Sequence, residues 1–416
     1  MALGSGLRGE LTACHLRVDL EGPVDAAALA RAVERASDAH FRLRSRIVPS
    51  PRCGPLQTVY RFAEGARAGL DRAGGDPDAW LDRAIDPFAG PGWRFGLFPR
   101  SGGASFRIAW HHAHGDGMAG FEVAGTVFDF YREETGGVLP PLPPPPSHAP
   151  RLARGRFRLR SLFREISILA HAAATRSRER PIGAIHRFER TVRLEASGPP
   201  VHALALAAAA RPLARLGLCE VAMPFNLRDA RLRHAGIGNS IFMINARLPE
   251  PVPEGAGERL SRATSLLRDL QRHDVRSFRI ASAFIAAAPR FALRWMAGKT
   301  HRGARVLLSV LGDWPERRLR DRAGRLELAP GTRIAGAGGG VPLIAGIEHS
   351  IGVGVLRGEA VLTLTSDAAA ISREGARELL DAMAAEMAAL RGGSSGEAQR
   401  ALGAPAAAPR RDSQLR

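Results

Sequence analysis

The stretch Trp110–Gly120, WHHAHGDGMAG, packs three histidines and an aspartate into the six positions 111–116. It follows ASFRIAWHH, which alternates like a strand. It precedes MAGFEVAGTVFDFYREETG, which has helical periodicity and stops at Gly136 and Gly137. Three readings compete. As a metal site, His112 and His114 would share one face of a strand, and Asp116 would join them if the strand continued. Gly115 and Gly117 break that strand, and no further Cys/His cluster accompanies it, so no metal is expected. As a plain strand end, the residues are ordinary polar groups. As a catalytic turn, they place an imidazole where a strand gives way to a helix.

Composition narrows the classes. At 416 residues, with 45% hydrophobic and 24% charged residues, the chain is a globular protein of about two or three domains. Its formal charge is +18, and Lys299 is its single lysine. A GC-rich coding sequence would explain much of that arginine bias without any functional cause. Whatever its origin, such a surface attracts phosphates, acidic proteins or anionic lipid. Nucleic acid is not expected: there are two tyrosines, aromatics total 6%, and no zinc finger or RNP-like motif appears. Cys14, Cys53 and Cys219 form no CxxC and no disulfide framework, which points to a reducing cytoplasm. The N-terminus has no apolar signal-peptide core. Of the most apolar windows, 201–210 is too short to span a bilayer and 280–298 carries Arg290 and Arg294. A soluble protein with at most peripheral membrane contact is expected.

Strand and helix patterns alternate in both halves, giving an α/β (mixed α+β two-layer) class. LTACHLRVDLEG reads as a strand and VDAAALARAVERASDAH as an amphipathic helix with Ala28, Leu29, Ala32, Val33 and Ala36 on one face. GWRFGLFPR and ASFRIAWHH read as a hairpin around SGG. LPPLPPPPSHAP (139–150) has six prolines within eight residues and reads as an extended connector. The division expected is an N-terminal lobe at 1–138, a connector with a basic amphipathic segment at 139–180, a C-terminal lobe at 181–394 and a disordered tail at 395–416. The basic segment reads either as a solvated helix or as a docking surface for an acidic partner or membrane. In the second half, VHALALAAAARPLARLG reads as a helix, ARVLLSVLGDW as a buried strand, and SIGVGVLRGEAVLTLTSD as a hairpin turning at Arg357, Gly358 and Glu359.

His111, His112, Asp116 and Gly117 reproduce the HHxxxDG motif, and on it the chain resembles the condensation-domain superfamily of acyltransferases. That superfamily includes nonribosomal-peptide condensation domains, polyketide-associated acyltransferases and wax ester synthase/diacylglycerol acyltransferases. VDAAALARAVERASDAHFRLRSRIV is similar to the family's opening helix and H-P-x-L-R-T strand, with Phe41 in the proline position. MPFNLRDARLRHAGIGNS is similar to its P-x-N-x-R segment and downstream Gly-Asn, here Pro224, Asn226, Arg228, Gly238 and Asn239. VLLSVLGDW keeps Ser309 and Gly312 of an S-N-x-P-G signature. The resemblance covers roughly residues 10–392. The D-F-G-W-G signature of plant-type members is absent, and no adenylation or carrier-protein region accompanies the motif.

The resemblance implies two chloramphenicol-acetyltransferase-like lobes in a V-shaped pseudo-dimer with a central channel, entered by donor and acceptor from opposite faces. It implies a stand-alone acyltransferase with His112 as general base, a neutral imidazole at pH 7 being able to take the nucleophile's proton. Asp116 is expected to pair with Arg228 and hold the loop, Gly117 to admit the reacting carbonyl, His111 to shape the turn and His114 to line the channel. Ser309 is a candidate oxyanion donor, and Asn226 supports the site. No resident cofactor is implied. Acyl-CoA or an acyl carrier protein would donate through a thioester, and a small-molecule hydroxyl or amine would accept. The alternative is a catalytically silent condensation-like module recruiting an acidic partner. Residues 155–180 and 280–297, apolar and basic, fit a lipid-like substrate or a membrane surface as well as they fit core packing.

Overall fold

The computed structural model describes residues 13–50, 60–72, 75–137, 163, 184–196, 198–226, 241–271, 280, 304–321, 323–343 and 347–391. The Pro-rich connector, nearly all of the basic segment, the 395–416 tail, Cys53, Arg228, Gly238, Asn239 and Lys299 lie outside the described residues.

Strict alternation makes the first strand. In β1 (Ala13–Glu21), Cys14, Leu16, Val18 and Leu20 are buried while the intervening residues are less so. Helix α1 (Ala26–Ala39) starts at Asp25, whose carboxylate accepts the Ala27 and Ala28 N–H groups at 2.8 and 3.0 Å. It buries Ala28, Leu29, Ala32, Val33 and Ala36, the face its spacing predicts. A two-stranded sheet, β2 (Ser45–Pro49) with β3 (Tyr60–Glu64), follows. Then come β4 (Leu70–Arg72), α2 (Pro77–Asp82), β5 (Trp93–Arg100), β6 (Gly103–His111) and α3 (Gly117–Glu134). The turn from β5 into β6 needs Gly102, whose φ is +74°.

The second half runs β7 (Ile185–Arg193), α4 (Val201–Arg215), β8 (Glu220–Asn226), β9 (Ile241–Arg247), α5 (Ala256–Gln271), β10 (Val306–Gly312) and α6 (Trp314–Leu319). It continues with β11 (Glu327–Ala329), β12 (Thr332–Gly340), β13 (His349–Leu356), β14 (Glu359–Asp367) and α7 (Arg373–Arg391). Arg357 and Gly358, both at positive φ, make the expected β13–β14 turn. Among the described residues, no helix is long and apolar enough to cross a membrane.

Two six-stranded sheets result, ordered β11-β12-β1-β6-β5-β4 and β7-β14-β13-β10-β8-β9. One core lies between the first sheet and α1 and α3; the other joins the second sheet to α4, α5 and α7. The sequence-based lobe of 181–394 needs one correction. Residues 327–340 lie in that stretch, yet β11 and β12 extend the first sheet, β12 pairing antiparallel with β1 from His15↔Gly340 to Glu21↔Arg333.

TRIAGAGGG shows no strand alternation, and its glycines are needed for fit rather than for turns. A Cβ at 340 would lie 1.8 Å from the His15 ring, one at 339 would lie 2.6 Å from the His15 carbonyl oxygen, and one at 338 would lie 2.4 Å from the Glu189 carboxylate. That carboxylate binds Arg17 of β1 at 2.5 Å, so β7 of the second sheet is ionically tied to the first where β12 passes.

Helix α6 makes the other tie. The Arg318 guanidinium lies on α3, donating to Glu122 at 2.9 Å, Thr126 at 3.1 Å and Asp129 at 3.3 Å. Gly125 makes room, since a Cβ there would lie 2.4 Å from the guanidinium. Arg132 in turn holds Asp129 and the Leu319 and Glu327 carbonyls. Glu122 is almost fully covered and Asp129 keeps Arg132, so removing the cation would break the buried ion pair of Glu122. Arg318→Leu should therefore lower the unfolding free energy by about 3–5 kcal/mol in urea titrations. An unchanged midpoint would show the cluster to be solvated.

Candidate active site

Strand β6 loses its partners at the motif: Trp110 is paired with Trp93, and His111 is the last residue opposite β1, at Ala13. Residues 112–114 turn, and α3 begins at Gly117 behind the N-cap Asp116. The turn is built on the Gly115 carbonyl. Trp110 Nε1–H donates to it at 2.9 Å, and His112 Nδ1 lies 3.1 Å from it. A Cβ at 115 would meet Ala119 at 2.8 Å and Trp93 at 3.1 Å, so the tight approach requires glycine. Trp93 stacks on Trp110 with ring centroids 5.1 Å apart, backing the turn.

A carbonyl only accepts, so His112 Nδ1 carries the proton and Nε2 holds the basic lone pair. The His112 ring is half-buried and faces a cavity of about 680 Å³ between the two sheets. Cys14 Sγ lies 3.7 Å from His112 Nδ1. Burial pushes this thiol well above its ordinary range, and the Asp116 carboxylate adds to the effect, so it stays protonated at neutral pH.

The other motif residues point elsewhere. His111 is buried, and its Nδ1 accepts the Ala113 N–H at 3.2 Å, which shapes the turn. His114 does not line the channel, contrary to the sequence expectation. Because the strand ends at His111, residues 112 and 114 lose their common face. The His114 ring is 0% exposed and lies 3.1 Å from the Ser45 carbonyl through Nε2. Gly92 leaves space for it. Burial, with smaller contributions from His111 and Arg42, lowers its pKa to about 3, so it is neutral. Asp116 caps α3, its Oδ1 accepting the Ala119 N–H at 3.0 Å. Gly117, the first helical residue, lines the cavity with Leu311 as its nearest neighbour across it.

The second half contributes Asn226 and Ser309 to the same cavity. Arg228, the expected partner of Asp116, lies outside the described residues. Sequence reasoning missed three lining residues, Cys14, His15 and His202. Cys14 and His15 are neighbours on β1 and His202 stands near the start of α4, all far from the motif in sequence, so only the fold brings them to it. His15 packs over Gly340, and burial, followed by Arg187, Arg107 and Arg17, lowers its pKa to about 3. Burial also lowers that of His202, opposed by a hydrogen bond to the Val310 backbone and by Asp313. Among the described residues, no three His, Cys, Asp or Glu side chains are grouped as metal ligands.

No family model matches the sequence, and no curated protein matches it. Solved structures do. A double mutant of the starter condensation domain of rhizomide synthetase, in complex with C8-CoA and Leu-SNAC, is 17% identical, with 94% of each chain covered and a TM-score of 0.62. The chain has the condensation-domain fold. Polyketide synthase associated protein 5 from Mycobacterium tuberculosis shares this fold at 17% identity, with 91% of this chain and 93% of that one covered and a TM-score of 0.56. So does the epimerization domain from the third module of tyrocidine synthetase B, at 13% identity, 92% coverage of each chain and a TM-score of 0.59. In this two-lobed chloramphenicol-acetyltransferase-like fold, the cavity carrying His112 is the space between the lobes.

Two outcomes follow for the turn. Asp116→Ala should cost about 1–2 kcal/mol through the lost cap, whereas Asp116→Asn, which can still accept the Ala119 N–H, should keep most of it. Equal losses in thermal unfolding would assign the effect to charge instead. For His114, the unfolded state takes up a proton below its ordinary pKa of 6.5, while the folded state does not until about 3. Its contribution is thus complete above pH 6.5 and falls by about 1.4 kcal/mol per unit as the solution is acidified. Urea unfolding across that range should show one proton fewer in the slope for His114→Asn; an identical slope would mean that His114 is protonated in the fold.

Proposed function

We propose that the chain is an acyltransferase that moves an acyl group from a thioester to a hydroxyl or amine, with His112 as general base. The observation carrying this reading is the His112 ring in the inter-lobe cavity with Nδ1–H held by the Gly115 carbonyl, which leaves Nε2 as the base. The acceptor's O–H or N–H would lie on Nε2 and pass its proton there as the oxygen or nitrogen attacks the thioester carbon. The tetrahedral adduct would then collapse, the C–S bond breaking and Nε2–H protonating the departing thiolate. The Gly115 carbonyl would favour the imidazolium formed between the two steps. Ser309, on the opposite wall, would donate its hydroxyl to the oxyanion. The neighbouring Cys14 thiol, His15 and His202 favour their neutral forms at neutral pH, so none of these three adds a charge beside Nε2.

The donor would be acyl-CoA or an acyl carrier protein, each bearing phosphopantetheine. The similar starter domain binds C8-CoA and Leu-SNAC, which supports a thioester donor. Because the fold also serves an epimerization domain, the deciding readout is acceptor-dependent thiol release. His112→Ala should lower it by about 10² to 10⁴ with the fold intact. Release that persists in the variant, or never depends on an acceptor, would overturn the assignment.

A further inference from the structure

Cys14, Leu16, Val18 and Leu20 of β1 fill the core under α1 and α3, so its odd-numbered residues stand on the other face of the first sheet. There His15 and Arg17 lie opposite Ala109 and Arg107 of β6. Arg187 of β7 comes to the same face from the second sheet and reaches Asp82, at the end of α2, at 2.6 Å. Between these elements is a second cavity, of about 280 Å³, bounded by His15, Leu81, Asp82, Ile185, Arg187 and Thr365. It shares Cys14, His15, Val341 and Pro342 with the cavity of His112, so the two chambers meet at His15. Gly340 leaves the seat for the His15 ring. Among the described residues, no hydrogen bond engages the ring nitrogens of His15.

The charges around this second chamber favour an anion. Arg17 is engaged by Glu189 and Asp19, but Arg107 meets Asp78 only at 3.8 Å. Arg187 spends one terminal nitrogen on Asp82, whose side chain is 58% exposed, and such a pair is weak. The charges felt at His15 are those of Arg187, Arg107 and Arg17, all positive. A guanidinium with donors to spare, beside an imidazole N–H without a partner, matches the two oxygens of a carboxylate. We propose that this chamber holds the carboxylate of the acyl acceptor on Arg187 and His15, while the acceptor's hydroxyl or amine reaches past Cys14 to His112. The acceptor class is then a short hydroxy or amino acid rather than an uncharged alcohol or amine. This rests on the acyl-transfer reading and names its acceptor.

The probes are 3-hydroxybutyrate and its uncharged counterpart 3-hydroxybutyramide, each titrated into the full chain by calorimetry. The acid should bind about tenfold more tightly than the amide, as charge-assisted hydrogen bonds imply. Arg187→Gln should erase that preference and Arg187→Lys should keep part of it, with circular dichroism checking that each is folded. Asp82→Asn removes the competing carboxylate and leaves the guanidinium in place, so it should tighten the acid and not the amide. A purely structural Arg187–Asp82 pair would weaken both ligands alike in either variant. Equal affinity for acid and amide in the wild type, or a preference that survives Arg187→Gln in the folded protein, would overturn the proposal. Selective binding of the acid without acceptor-dependent thiol release would uphold the carboxylate site and overturn acyl transfer. Thiol release supported equally by acid and amide would do the reverse.

Discussion

Everything about the site depends on one strand passing where side chains have no room. β12 leaves the sequence of the second half and completes the sheet of the first, antiparallel to β1. It can do so because Gly338, Gly339 and Gly340 present bare backbone to the Glu189 carboxylate and to His15. The Arg17–Glu189 pair at the same place, and Arg318 locked on α3, hold residues 318–340 against the first sheet. The space between the sheets is therefore bounded by strands from both halves.

Within that frame the histidine-rich turn resolves into unequal parts. Its three imidazoles have three destinations: His111 folds back on the Ala113 amide, His114 is sealed beneath the Ser45 carbonyl, and His112 reaches the cavity. Only the last combines access with a defined tautomer, and the Gly115 carbonyl provides it while also anchoring Trp110. Asp116 places one oxygen on the Ala119 amide, which fixes the start of α3 at the cavity wall. A dense cluster of titratable residues thus sends one imidazole into the cavity, and the rest of the cluster fixes where that ring stands.

The electrostatics of the cavity follow from burial. The Cys14 thiol is pushed up, and the His15 and His202 imidazoles are pushed down, so each favours its neutral form. The low polarity around these three groups strengthens any interaction made there with developing charge.

Much of this was legible in the sequence. Alternation located β1, β5 and β6; helical spacing and Asp25 located α1 and its buried face; Arg357-Gly358 located the β13–β14 turn; and the HHxxxDG string placed His112 at a strand–helix junction. Such features are local, because side-chain periodicity and turn chemistry act over a few residues. The expectation that His114 lines the channel failed, since the fold seals its ring beneath the Ser45 carbonyl. It was silent on β11 and β12, whose glycine-rich string carries no alternation because its role is to leave space. Nor did it indicate Cys14, His15 and His202 as neighbours of the motif. Those are matters of long-range register and strand order. They arise only when distant segments pack, since no property of a single segment encodes what stands beside it.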